Sequence, residues 1–77
     1  MNEKRRKSLR EALSLLGRAA SIVDQVYDQE VDAVENYPEN LQGTETYESM
    51  EDAVDNLDEA AEKIEEAKEY IERAVKG

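Results

Sequence analysis

The chain contains no cysteine, histidine, tryptophan or phenylalanine. Without cysteine it has no disulfide framework and no thiolate metal site, and without histidine it lacks the commonest general base and zinc ligand. These absences exclude most enzyme chemistry, so we expect a protein that is not an enzyme and uses no cofactor and no metal ion. Four tyrosines are the only aromatic residues, so the core must be built from aliphatic side chains and alanine.

Long apolar runs are also missing from the sequence. No stretch approaches the length of a membrane span or of a signal-peptide core, which predicts a cytoplasmic protein that makes no contact with a membrane. A length of 77 residues allows one small domain, which we place at 1–77.

Charge is abundant but strongly segregated, and the net charge is −10. Residues 1–18 hold six basic residues against two acids, a net charge of +4. Residues 19–62 contain no Lys or Arg and carry fourteen acids, whereas residues 63–77 balance four basic against four acidic groups. The charge therefore varies along the chain instead of alternating within it.

The second half of the chain carries a continuous seven-residue repeat of apolar positions, which is typical of a helix that packs along a partner helix. The repeat comprises Tyr47, Met50, Val54, Leu57, Ala61, Ile64, Lys68, Ile71 and Val75. Small residues recur beside it at Ala53, Ala60, Ala67 and Ala74. Such a column lets a neighbouring backbone approach closely.

The first half repeats the same pattern over a wider stripe. Its columns are Leu9, Leu16, Val23, Glu30 and Tyr37, then Ala12, Ala19, Val26 and Ala33, then Leu13, Ala20, Tyr27 and Val34. Leu15 and Ile22 lie on a further side, so this helix needs a second helical neighbour. We therefore expect a homodimer that forms a four-helix bundle through Leu15, Ile22, Leu13 and Tyr27. Glu30 interrupts the first column and either reaches the bundle edge, which we favour, or fixes the register.

Pro38 ends the first helix, because the residue before a proline is pushed away from helical dihedral angles. Thr44 or Thr46 can then cap the next helix, and we expect Leu41 to cover the end of the core. Gly17 indicates a close helix crossing. The predicted elements are a helix at 2–36, a turn at 37–44 and a helix at 45–76. The predicted fold is all-α, a long antiparallel helical hairpin resembling a coiled coil.

In this hairpin the basic N-terminus lies beside the acids of the second helix near residues 65–72, and we expect the two to form ion pairs. The basic run from Lys4 to Arg10 is short and has no interleaved aromatic residue. We therefore expect no direct binding of nucleic acid.

The acids support three interpretations. Asp24, Asp28 and Asp32 share one helical face but lack the glycine turn that gathers ligands in calcium loops, so a solvated surface is favoured over a metal or catalytic site. The third interpretation is a binding face for a basic protein surface, because helical carboxylates spaced by three and four residues lie about 5 to 6 Å apart. Its residues would be Glu48, Glu51, Asp52, Asp55, Glu59 and Glu62, with Asp24, Asp28 and Asp32.

Two segments, NYPENLQ at 36–42 and MEDAVDNLDEA at 50–60, resemble those of small uncharacterised acidic proteins from phages and mobile elements of Gram-positive gut bacteria. The resemblance brings no functional residues with it. It implies a setting in which small genes often encode inhibitors of host defence, including anti-CRISPR proteins. We therefore expect an interaction protein whose acidic helical face occupies a basic, nucleic-acid-binding surface of a defence effector. The alternative is a structural oligomerisation module or adaptor without nucleic-acid mimicry.

Overall fold

The computed structural model describes all 77 residues as two long helices that pack side by side. Helix α1 spans Glu3–Glu35 and helix α2 spans Glu45–Lys76, with a short 3₁₀ turn at Glu39–Leu41 between them. The rod measures 60 × 15 × 13 Å. The predicted all-α helical hairpin is confirmed, and the helices end within one residue of the predicted positions. We call the connection the turn end and the two termini the open end.

Both helices begin at a side-chain cap, which satisfies one of the backbone N–H groups that a first turn leaves unpaired. The Arg5 N–H donates to Oδ1 of Asn2 at 2.9 Å, and the Tyr47 N–H donates to Oγ1 of Thr44 at 3.4 Å. Of the two threonines expected to cap α2, Thr44 therefore does so.

The turn end is closed by tyrosine rings and not by a leucine. The rings of Tyr37 and Tyr47 lie with their centroids 5.6 Å apart, across the start of the helix pair. Leu41 is 41% exposed, so the prediction that it covers the end of the core is wrong. Leu41 lies in the 3₁₀ turn outside both helices, so it is not part of the inward side of either helix.

The contact between the helices follows the seven-residue repeat throughout. With the letters a to g assigned so that a and d face the other helix, every a and d position is half-buried. On α1 these positions are Arg6, Leu9, Leu13, Leu16, Ala20, Val23, Tyr27, Glu30 and Val34, and Tyr37 continues the pattern just after the helix; on α2 they are the nine residues from Tyr47 to Val75 named above. Two helices cannot enclose a core between them, and none of the 77 residues is fully buried.

Gly17 does not mark a close crossing. A Cβ built at this position meets nothing within 4 Å, so the glycine leaves open space beside the helix pair. The prediction of a close crossing at Gly17 is wrong, because the residue lies at an e position on the flank of the contact.

Two candidate binding faces of the hairpin

The positions that flank the contact fall on two different sides of the rod. In an antiparallel helix pair the e positions of both helices border one side and the g positions border the other. The b positions extend the e side, and the c positions extend the g side. The hairpin therefore has two long faces, and the sequence gives them opposite character.

We call the e and b side the acidic face. On α2 every e and b position from residue 48 to residue 72 is a carboxylate. These residues are Glu48, Glu51, Asp55, Asp58, Glu62, Glu65, Glu69 and Glu72, and all are exposed. Helix α1 adds Asp24, Asp28 and Glu35 near the turn end.

A shallow groove shows that the two helices share this face. It is lined by Val31, Val34 and Glu35 of α1 and by Glu51, Val54 and Asp55 of α2. Three carboxylates from both helices therefore surround an apolar floor. Val31, which the sequence analysis did not place in the contact between the helices, is half-buried in this floor.

No carboxylate between residues 19 and 62 forms an ion pair. The four ion pairs lie near the open end: Glu3 with Arg10 at 2.8 Å, Glu3 with Arg6 at 3.9 Å, Lys63 with Glu66 at 3.6 Å and Lys68 with Glu65 at 3.4 Å. The turn half of the acidic face therefore carries its negative charge without compensation from the chain itself.

The expected ion pairs between the basic N-terminus and α2 do not form. Arg6 and Arg10 instead pair with Glu3 of their own helix, and Nε of Arg6 donates to the carbonyl oxygen of Val75 at 3.2 Å. The hydrogen bond from Arg10, helped by its positive charge and that of Arg6, lowers the pKa of Glu3 below its ordinary value. Pairing inside α1 is favoured because these partners face the same side of one helix.

The structure divides the nine acids that the sequence analysis proposed for partner binding. Six lie on the acidic face: Asp24, Asp28, Glu48, Glu51, Asp55 and Glu62. Asp32, Asp52 and Glu59 are at f positions, which point directly away from the other helix. Five further acids of this face were not among the predicted residues: Glu35, Asp58, Glu65, Glu69 and Glu72. The e and b columns were the signal that would have found them.

We call the g and c side the alanine-rich face. Its α1 positions are Arg5, Ser8, Ala12, Leu15, Ala19, Ile22, Val26, Gln29 and Ala33, and its α2 positions are Thr46, Ser49, Ala53, Asn56, Ala60, Lys63, Ala67, Tyr70 and Ala74. Arg5 and Lys63 are the only charged residues among them, and Lys63 is paired with Glu66. This face is therefore almost free of charge in a chain of which 39% is charged.

Large apolar side chains stand exposed on the alanine-rich face. Leu15 is 56% exposed, Ile22 is 59% exposed and Val26 is 38% exposed, and the three follow one line along α1. Leu13 and Tyr27, also expected at an oligomer interface, lie instead at a positions and are half-buried against α2.

Tyr70 is the most exposed large apolar residue of the chain, at 67%. The guanidinium carbon of Arg73 lies 5.1 Å from its ring centroid, within the range of a cation–π contact. Tyr70 therefore gives the open end of the alanine-rich face an aromatic edge.

No three acidic side chains are arranged to hold a metal ion. Neither helix has a segment both long and apolar enough to pass through a membrane. Comparison of the chain with family models, with curated proteins and with solved structures finds no match in any of the three. The two faces are therefore the features from which a function must be argued.

Proposed function

We propose that this chain is a non-enzymatic interaction protein whose acidic face binds a basic surface of a protein partner. The observation that carries the proposal is the set of exposed carboxylates without ion pairs along the turn half of that face. Helix surfaces ordinarily mix both signs of charge, because pairs at i and i+4 stabilise the helix. A single sign kept over this length favours attraction of a basic partner, and it also speeds the encounter.

The spacing of the charges supports a nucleic-acid-binding surface as the target. The α2 carboxylates follow one another at alternating steps of three and four residues, or about one charge per 5 Å of helix axis. One strand of duplex DNA carries a phosphate about every 3.4 Å of its axis. A rod with such a column of charge fits a basic channel made for a nucleic-acid strand.

The resemblance of segments 36–42 and 50–60 to mobile-element proteins supports a more specific form of this proposal. In that form the chain is an inhibitor of host defence of the anti-CRISPR type, and its target is a nucleic-acid-binding defence effector. The test is to add the protein to a panel of purified RNA-guided nucleases and to measure binding of target DNA. We expect at least one nuclease to lose DNA binding, and excess duplex DNA should displace the protein from it.

Two matched double variants test whether the acidic face makes the contact. Asp55→Lys with Glu62→Lys reverses two charges on the acidic face, and Asp52→Lys with Glu59→Lys makes the same change at f positions of the same helix. We expect the first pair to weaken inhibition about tenfold or more, since close charge pairs across an interface couple strongly, and the second to weaken it much less. Equal losses would show a response to net charge alone and would overturn the assignment to this face.

The alanine-rich face favours a second candidate, an assembly module in which a dimeric four-helix bundle is itself the function. In this case the acidic surface only keeps the bundle soluble. The charge variants above would then leave every activity of the protein unchanged, whereas variants at Leu15 or Ile22 would abolish it. The two candidates therefore respond to changes on opposite faces of the rod.

A further inference from the structure

The hairpin exposes more surface than its mass requires. Its accessible surface is 5820 Å². A compact monomer of 8.8 kDa exposes about 4,800 Å² by the size scaling of folded proteins. The surplus of about 1,000 Å² is larger than the roughly 800 Å² that each partner contributes to a standard interface. The free hairpin therefore leaves open about as much surface as one stable protein contact covers.

The alanine-rich face is where that surface is least suited to water. The acidic face carries charges that need hydration, so a contact there has to satisfy or pair them. The alanine-rich face has only two charged residues, Arg5 near the open end and Lys63, and it exposes Leu15, Ile22 and Val26 along α1. Its small α2 side chains permit close approach of another helix.

The exposed apolar residues are arranged so that a second copy of the chain matches them. Leu15 and Ile22 lie on either side of Ala19, which is the midpoint of α1. When two copies of α1 cross antiparallel at this point, Leu15 of each copy meets Ile22 of the other. A surface of this kind is complementary to itself, as a two-fold interface requires.

Charge selects between the two ways of placing the copies face to face. With the rods parallel, the two turn ends lie together, and each brings the segment 19–62 with its fourteen acids and no basic residue. With the rods antiparallel, the turn end of each copy lies beside the open end of the other, where residues 1–18 carry a net +4. Like charges brought together cost energy and opposite charges do not, so the antiparallel placement is favoured.

We propose that a second copy of this chain docks on the alanine-rich face with its rod antiparallel, so that α1 packs on α1 and α2 on α2. The product is a four-helix bundle in which Leu15, Ile22 and Val26 enter the core. This proposal goes beyond the binding function argued above, and it does not depend on the existence of a basic partner.

Spin labels at two engineered cysteines test the arrangement, and the lack of native cysteine leaves each label unique. Asn40→Cys places labels at the turn end, and we expect them to lie apart by a distance close to the 60 Å length of the rod. Arg18→Cys places labels near the midpoint of α1, where neighbouring helix axes lie about 8 to 10 Å apart, so that this pair should be close. A parallel dimer would instead bring the Asn40→Cys labels close together, while the Arg18→Cys labels would still lie at the same height across the bundle, so the Asn40→Cys distance separates the two placements. Close labels at Asn40→Cys, or no measurable distance between the labels of two copies, would overturn the proposal.

A matched pair of charge insertions tests the face itself. Ile22→Glu places a carboxylate in the proposed interface, and Ser21→Glu adds the same charge at the neighbouring residue, a b position of the acidic face. We expect Ile22→Glu to weaken dimerisation about 100-fold or more, because it buries an unpaired charge, and Ser21→Glu to leave it nearly unchanged. Sedimentation equilibrium measures both, and circular dichroism checks that each variant remains helical. Equal dissociation constants for the two variants would show that the copies do not meet on this face.

Discussion

The acidic face and the alanine-rich face are built on the same two helices, yet they differ in almost every physical respect. On α2 the e and b columns of the acidic face hold eight carboxylates and no basic residue from residue 48 to residue 72, whereas the other face holds seven alanines and only two charged residues. Both faces flank the same a and d contact, so the stability of the hairpin does not require the difference. A chain that needed only to fold would distribute its charges over both sides. The separation supports the proposal that each side has a different environment in the working protein: water or a basic partner on the acidic face, and a second copy of the chain on the alanine-rich face.

The largest change in unfolding free energy should come from alanine substitutions at two adjacent leucines, one between the helices and one on the alanine-rich face. Leu16 is at a d position between the helices, and Leu15 is at a c position on the alanine-rich face. We expect Leu16→Ala to cost about 1 to 2 kcal/mol of unfolding free energy at every protein concentration, less than the 2 to 5 kcal/mol of a fully buried leucine. Leu15→Ala should cost almost nothing in dilute solution and progressively more as the dimer forms.

Urea unfolding at several protein concentrations measures this difference. The intact chain should also become more stable as its concentration rises, because only the folded form associates. If Leu15→Ala were as costly in dilute solution as at high concentration, Leu15 would be stabilising the single hairpin, and the comparison of the two faces would fail.

The next effect concerns the open space at Gly17 on the acidic side. Since a Cβ at this position meets nothing within 4 Å, Gly17→Ala should raise the unfolding free energy by about 1 kcal/mol, the usual difference between these residues inside a helix. The control is Gly43→Ala, which should lower the unfolding free energy because Gly43 has φ +88°, where a side chain is strained. Thermal unfolding followed by circular dichroism distinguishes the two signs, and a loss at Gly17→Ala would mean that this flank of α1 is covered.

A smaller effect should come from moving one charge across the rod. Asp55 lies on the acidic face between like charges at Glu51 and Glu59, and Asn56 follows it on the alanine-rich face. Asp55→Asn should stabilise the hairpin by about 0.2 to 0.5 kcal/mol, the size of a like-charge effect between helical neighbours. The gain should shrink as salt is added, because salt screens the same repulsion.

The double variant Asp55→Asn with Asn56→Asp keeps the net charge while shifting one carboxylate to the alanine-rich face. It should weaken dimerisation, which Asp55→Asn alone should not do. A dimer unaffected by the shift would place the interface elsewhere.

The smallest effect is that of pH on Glu3. Its hydrogen bond with Arg10 holds the pKa of Glu3 below the ordinary value. The bond therefore stabilises the fold above the pKa that Glu3 has in the unfolded chain, and this stabilisation is lost as the pH falls through the pKa of Glu3 in the folded chain. A carbon-detected NMR titration should give Glu3 a midpoint below the ordinary value for a glutamate. Arg10→Gln should raise that midpoint, and an unchanged midpoint would mean that the ion pair does not persist in solution.

The fold could be predicted closely because its signals are local. The seven-residue repeat fixes which side of each helix faces inward, and Pro38 with the caps Asn2 and Thr44 fixes the ends. Leu41 and Gly17 were misjudged for one reason: the burial of a leucine and the use of a glycine depend on what lies opposite. Leu41 stays 41% exposed at the turn end, and a Cβ at Gly17, on the flank of the contact, meets nothing within 4 Å. The acids were predicted as a set. Assigning each of them to a face requires knowing that the e positions of both antiparallel helices lie on one side of the rod and the g positions on the other.

The lack of any fully buried side chain bears on how long the protein survives in a cell. A lone hairpin of this kind opens often, and each opening offers its backbone to proteases. If two copies pair as proposed, pairing protects the chain more as its concentration rises, so newly made chains would persist when they are numerous and be degraded when they are few. The amount of protein would then depend steeply on the rate of synthesis. Rapid synthesis would give paired chains that persist, whereas slow synthesis of the same total amount would leave almost no intact protein.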